Sequence, residues 1–440
     1  MSILNNIIIK IYLIILVVVS ILPYHFQQYK KFVGGSGSPS LVNFSYILTA
    51  MILLLSMFLV LRSYRKKRWL IDSFKSKYVY LYSIWIVFGQ LFGIFIGSIN
   101  GNIRTVFIAI AYSLTAFFSF YFVPALITRV NSIKYYLKLV MVVGTISGLF
   151  GIYASLLGKS NLLGISLRTK NLMPGIGIHE TAGIFHEMNI FGLVSIVGFW
   201  SSIYFILSSD HKHKLLYYLN SVICLLAVIL SWSRAMYTAI LLGLVILIIF
   251  KKVYNLDVSF KYLYLILIII LLISIAQATI ITHIMQLNVG IGGRTSLWSA
   301  AFNAIINKPL FGYGFTEEMQ QEIVYSFGGR GVDKNAYMGA HNGFLSLGIR
   351  GGILLTILYI LLIANCVKIL IFDNHTYIRD EYTLLRAIIL ILIVTFTIAT
   401  TFISYSIGGI GYGALILTVT FGIANNWSKY KIEMVNKYNA

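Results

Sequence analysis

Acidic side chains are scarce in this chain, 13 aspartates and glutamates among 440 residues, against 34 lysines and arginines. Charged residues of every kind reach only 11%, where soluble globular domains carry roughly 25%. A water-soluble fold of this length could not hide the remaining apolar surface, which excludes a soluble enzyme, a disordered tail and a nucleic-acid-binding domain. There are five prolines and two cysteines. Cys224 and Cys366 both fall in apolar runs and read as buried thiols, not as a disulfide framework. No GxxxxGK[ST] phosphate loop is present, so nothing points to ATP hydrolysis. No paired Cys/His spacing resembles a zinc site.

What the chain has in abundance is apolar length. Hydrophobic residues make up 59% and the mean hydropathy is +0.87. A transmembrane helix needs about 20 mostly apolar residues. Twelve runs meet that need: 4–23, 41–61, 78–99, 104–127, 136–157, 187–208, 214–231, 234–250, 261–282, 343–367, 384–404 and 408–426. The first is interrupted by Lys10 and followed by no small-residue cleavage site, so it reads as a helix and not as a signal peptide. The expected fold class is an all-α integral membrane protein, one polytopic domain over 1–440 with about 12 transmembrane helices in the bilayer.

Orientation follows from the basic residues. With the N-terminus in the cytoplasm, the RSYRKKRW stretch (62–69) lies inside, together with Arg129, Lys134, Lys251, Lys252 and Arg379. The whole chain then divides into 22 basic residues inside and 12 outside, the positive-inside pattern, with both termini cytoplasmic. The net charge of +21 is therefore mostly a topology signal and does not call for nucleic acid. Two external segments are long, 158–186 and 283–342. The external carboxylates Glu180, Glu187, Glu317, Glu318, Glu322 and Asp333 form no tight cluster for a divalent metal, so no metal and no cofactor is expected. Small-xxx-small pairs at Gly144/Gly148 and Gly348/Gly352 mark places where helices can approach closely.

The basic residues on the disfavoured side carry the chemistry. Arg234 lies in SWSRAM (231–236) at the external start of the eighth run. It either snorkels to the interface or helps bind an anion. A cation at an already positive helix N-terminus makes most sense with an anion between them. Arg294 repeats the pattern in GIGGRTSLWSAAFNAIINKP (290–309), ahead of a helix expected to run to about Asn307. Trp298, Phe302, Ile305 and Ile306 would share one face of that helix, lying on the outer bilayer surface. In GAHNGFLSLGIRGG (339–352), His341 and Asn342 sit at the N-terminus of the tenth run. There the helix dipole and nearby arginines would keep the imidazole neutral and able to accept a proton, although an interfacial histidine is an ordinary finding. Arg350 falls about two and a half turns inside the same run, where it has either a function or a buried partner. The stretch GIHETAGIFHEMNIFG (177–192) gathers His179, Glu180, His186, Glu187 and Asn189 before the sixth run, as a lined cavity or a solvated loop.

SWSRAM, GGRTSLW followed by NKPLFGYGF, and AHNGFLSLGIRGG, in this order and with GIFHEMNIFG before them, resemble the O-antigen polymerase and ligase superfamily. The motifs cover about 180–352. The resemblance implies a metal-independent GT-C-type glycosyltransferase in the bacterial inner membrane, its active site facing the periplasm. Donor and acceptor would be oligosaccharides on undecaprenyl pyrophosphate, with a chain-length regulator protein as a further candidate partner. The family's essential arginines and histidine map onto Arg234, Arg294 and His341, with Arg350, Glu180, Glu187, Asn189 and Asn342 as further substrate-binding candidates and Glu180 and Glu187 as alternative bases. The arginines would hold pyrophosphate oxygens bidentately, and His341 would take the proton of the attacking hydroxyl in an inverting displacement. A polymerase is preferred to a ligase because the chain is rich in Ile, Lys, Asn and Tyr, residues of AT-rich genes such as those of polysaccharide clusters. A lipid-linked oligosaccharide flippase is the alternative from another class. Against it stand the lack of an internal repeat and the gathering of ionisable residues at the outer face.

Overall fold

The computed structural model describes residues 9–17, 77–95, 103–127, 130–158, 161–162, 165–171, 179–185, 187–208, 213–254, 294–315, 317–329, 339–372, 380–403 and 412–427, with a few isolated positions elsewhere. The expected spans 41–61 and 261–282, isolated positions apart, half of 4–23, and the site candidate His186 lie outside the described residues, while 9–17 is helical. In chain order the elements are α1 Lys77–Phe95, α2 Ile103–Leu126, α3 Val130–Leu157, β1 Asn161–Leu162, β2 Ile165–Ser166, β3 Arg168–Asn171, β4 His179–Gly183, α4 Met188–Leu207, α5 Lys214–Leu230, α6 Arg234–Tyr254, α7 Arg294–Asn307, α8 Glu317–Ser326, α9 Gly343–Ile371, α10 Asp380–Thr400 and α11 Tyr412–Asn425. Each of the nine expected spans from 78–99 onward, 261–282 apart, coincides with one of these helices. Six described helices are long and apolar enough to cross a membrane: α1, α3, α4, α6, α9 and α10 from Glu381, while α5 and the Gly413–Asn425 stretch are apolar but shorter. The protein is a mostly helical, multi-pass membrane protein.

Burial sorts the helices. α4 is apolar all round and buried almost throughout, from Ile190 to Ile206, as a helix must be when neighbours cover every face. α3, α5, α6 and α10 pack around it. Outer helices instead expose apolar residues at helical spacing, Val142, Ile146 and Leu149 on α3 and Ile353, Ile357 and Ile360 on α9. Only a lipid environment makes such faces stable. Helices close up where side chains are missing. A Cβ on Gly144 would lie 2.8 Å from the Cα of Gly198, so α3 touches α4 nearly backbone to backbone, and one on Gly243 would lie 2.2 Å from the Trp200 ring, so α6 leaves room for that side chain. Cys224 and Cys366 are buried and free. At one end of the bundle Lys134 of α3 pairs with Glu381 of α10, which also accepts a hydrogen bond from Tyr204 at 3.2 Å.

The short elements sit at the other end. β3 and β4 form an antiparallel hairpin with Lys170 opposite Glu180, and β4 rests on α3, α4 and α5. α7 and α8 occupy the expected 283–342 segment and pack on the start of α9. The buried face of α7 is Leu297, Ala300, Ala301, Ala304 and Ile305. Phe302 and Ile306 are exposed, as side chains resting on a bilayer surface would be, while Ile305 turns to α9. Small alanines let α7 lie close to α9, where a Cβ on Gly348 would meet Ile305 at 2.5 Å.

α9 is not continuous. Gly351 (φ −133°, ψ 16°) and Gly352 (φ 81°, ψ 175°) break the helix after Arg350. The freed backbone groups are met by the 309–314 turn and by α1. Tyr313 N donates to Ile349 O (2.7 Å), Gly314 N to Arg350 O (3.1 Å), and Ile353 N to Pro309 O (2.8 Å). Trp85 Nε1 donates to Gly351 O at 2.9 Å and Gln90 Nε2 to Arg350 O at 3.2 Å. These five bonds satisfy backbone groups freed at the break, as non-helical backbone at membrane depth requires. Gly352 is obligatory here, because its φ is left-handed and a Cβ would stand 2.0 Å from Leu310 O. Gly352→Ala should destabilise the purified protein by at least about 1–3 kcal/mol, seen as a lower Tm in detergent. An unchanged Tm would mean that the turn does not pin the break.

Candidate functional site

Four helix N-termini meet at the loop-bearing end. The start of α4 carries Glu187 and Asn189, α6 follows Ser233, α7 opens on Arg294, and α9 follows His341 and Asn342. The sequence builds these junctions tightly. Asn342 caps α9, its Oδ1 accepting from Phe344 N (3.0 Å) and Leu345 N (3.1 Å). Among the described residues only Trp232 (φ 50°) and His341 (φ 47°) are non-glycine residues with left-handed backbone. Each stands one or two residues before a helix start, and such strained positions persist where the surroundings over-determine them. A Cβ on Gly192 would lie 2.8 Å from Ser231 Oγ, so α4 presses directly on the 231–233 turn.

Two links tie the four ends together. Ser233 Oγ donates to Asn189 Oδ1 at 2.8 Å, and Asn189 Nδ2 reaches Glu187 Oε1 at 3.5 Å, joining α6 to α4. Ser231 and Ser233 are buried, and the Ser233 hydroxyl serves this link. The second link is electrostatic. Burial lowers the His341 pKa below its ordinary value; the Glu187 carboxylate opposes that shift and the Arg294 guanidinium adds to it. Burial also lowers the Arg294 pKa, again opposed by Glu187. Arg294 remains a cation at neutral pH, because its ordinary value is so high. Histidine, arginine and glutamate from three helices therefore lie within range of one another's charge. Arg294 is further steadied by Phe402 at the end of α10, whose ring centroid lies 5.6 Å from its Cζ.

The other expected residues fall into place around this group. Arg234 is the first residue of α6, next to Ser233, and its side chain is exposed. Glu180 is on β4, opposite Lys170. Arg350 is at the α9 break, where Nη2 donates to Gln320 Oε1 at 3.3 Å and Cζ lies 5.9 Å from the Tyr112 ring centroid. The side chains of His179, Glu317 and Glu318 lie outside the described residues. Reading the sequence did not single out Gln320 or Gln90. The one available signal was a glutamine inside the apolar α1 run.

Chemically, the arrangement offers a guanidinium and converging helix N-termini to an anion, and an uncharged imidazole beside them to a proton. Residues 219–360, about a third of the chain, match a family described as O-Antigen ligase. The match takes in Arg234, Arg294, His341 and Arg350, while Glu180, Glu187 and Asn189 precede it. No curated protein matches the chain.

Proposed function

We propose, on the premise that a membrane protein matching the O-Antigen ligase family over 219–360 belongs to the O-antigen polymerase and ligase superfamily, that this chain polymerises a surface polysaccharide. In this reading it joins undecaprenyl-pyrophosphate-linked repeat units at the periplasmic face, with both termini cytoplasmic. The observation that carries the reading is the grouping of Arg294, His341 and Glu187, from the starts of α7, α9 and α4, inside and beside the matched segment.

The step is a direct displacement. The acceptor hydroxyl attacks the anomeric carbon, the glycosidic phosphate bond breaks, and the electron pair leaves with pyrophosphate. Arg294, assisted by Arg234 and the helix N-termini, stabilises the charge that grows on the leaving group. His341, kept neutral by burial and by Arg294, takes the hydroxyl proton. Glu187 stabilises the resulting imidazolium, since its charge favours the protonated ring. Asn189 and Ser233 hold Glu187 against α6, and Asn342 fixes the backbone from which His341 projects.

One observation favours a second reading, transfer of the finished chain to lipid A core, because the matching family is described as a ligase. The glycan ladder of a deletion strain separates the two. One repeat unit on core is the expected result and identifies a polymerase. Bare core identifies a ligase. Lipid-linked units retained on the cytoplasmic face would identify a flippase and overturn the reading.

A further inference from the structure

The break in α9 holds polar groups that its own packing leaves unmet. Arg350 has a neutral amide, Gln320 Oε1, as its one hydrogen-bond acceptor, and no carboxylate bonds it among the described residues. Its Nε, Gln320 Nε2 and Gln90 Oε1 are buried without a hydrogen-bond partner among the described residues. Gln320 is 2% exposed and Gln90 1%. Both amides are fixed in orientation by chemistry: Gln320 must turn its oxygen to the guanidinium, and Gln90 must turn its nitrogen to Arg350 O. Two donors, Arg350 Nε and Gln320 Nε2, and one acceptor, Gln90 Oε1, are thus left open around the break, together with a guanidinium that no carboxylate pairs with among the described residues. A packing role for Arg350 on the Tyr112 ring explains none of these open groups. Arg350 itself remains partly accessible. The group also adjoins the candidate site, for Gln320 Cδ lies 3.9 Å from the Cβ position of Gly339, two residues before His341.

We propose that Arg350, Gln320 and Gln90 form a second subsite that recognises an oxyanion, a carboxylate or a phosphate, on a hydroxyl-bearing group. The guanidinium and the Gln320 amide take the anion's oxygens, and Gln90 accepts from a neighbouring hydroxyl. The subsite itself stands on these contacts. That its ligand is borne by the glycan or lipid carrier being joined rests on the function proposed above.

The test uses the full chain in lipid nanodiscs and reads thermal stabilisation by glucuronate, inorganic phosphate and, as a neutral control, glucose. The wild type should be stabilised saturably by one or both anions and not by glucose. A response to glucuronate alone assigns a sugar carboxylate, and one to phosphate alone assigns a phosphate. Arg350→Gln should weaken the anion response at least tenfold. Should Arg350→Gln fail to fold, Gln320→Glu decides, because it supplies the missing carboxylate from within. It should leave Tm at or above the wild-type value while abolishing the anion response. Wild-type anion affinity in both variants, or no response in the wild type, overturns the subsite. Arg294→Gln, run in parallel with pyrophosphate as probe, keeps the two proposals apart. If it binds pyrophosphate normally while Arg350→Gln loses glucuronate or phosphate, the leaving-group reading fails and the subsite stands.

Discussion

Arg294→Ala should reduce glycan elongation by at least about 10²–10³-fold while the protein still reaches the membrane in normal amount. The guanidinium stands at the N-terminus of α7, braced by Phe402, where α4 and α9 also begin. An anion there meets a bidentate donor and converging dipoles, and the variant removes the donor. Arg294→Lys should rescue little, because a point charge cannot make the paired contact. Arg234→Ala should show a smaller loss, since its side chain is exposed in this structure and acts through long-range charge until substrate arrives. Loss is read as lipid-linked product per unit of membrane protein. Full elongation by Arg294→Ala would remove this residue from the site.

The sequence made the helices legible because a span is set by the bilayer. Twenty apolar residues are as visible in the chain as in the structure, which is why 136–157, 187–208 and 343–367 coincide with α3, α4 and α9. The His341 and Arg294 grouping was half legible. Their placement at helix starts could be read, but the burial that lowers both pKa values and the approach of Glu187 to both arise from tertiary packing. Residues as far apart in the chain as Glu187 and His341 carry no local pattern linking them. The buried face of α7 was less legible: its residues are mostly alanines, which a reading by size and apolarity passes over. The break in α9 was written in Gly351–Gly352, but an adjacent glycine pair also serves ordinary close packing. Only the 309–314 turn that fills it distinguishes the two. Gln320 was beyond reach, since a glutamine in a polar loop helix gives no sign of being 2% exposed beneath an arginine.

His341→Gln carries the second large effect. The variant keeps a hydrogen-bonding group in place and cannot accept a proton near neutral pH, so turnover should fall about 10²–10⁴-fold with donor binding nearly unchanged. The pH dependence has a definite sign. Burial and Arg294 lower the His341 pKa, so the ring is neutral and active at pH 7, and activity should fall only as pH drops through a value below the ordinary 6.5. Glu187 holds that value up, so Glu187→Gln should move the acid limb to still lower pH. If Glu187→Gln instead abolishes turnover at every pH, the base is the carboxylate.

The most direct measurement is elongation of purified lipid-linked oligosaccharide in proteoliposomes, with wild type and His341→Gln compared at equal donor occupancy. The predicted result is multi-unit lipid-linked product and released polyprenyl pyrophosphate from the wild type, with bound donor and almost no product from the variant. Elongation by His341→Gln at the wild-type rate, or none by the wild type with donor bound, would contradict a glycosyl-transfer site built on His341 and Arg294.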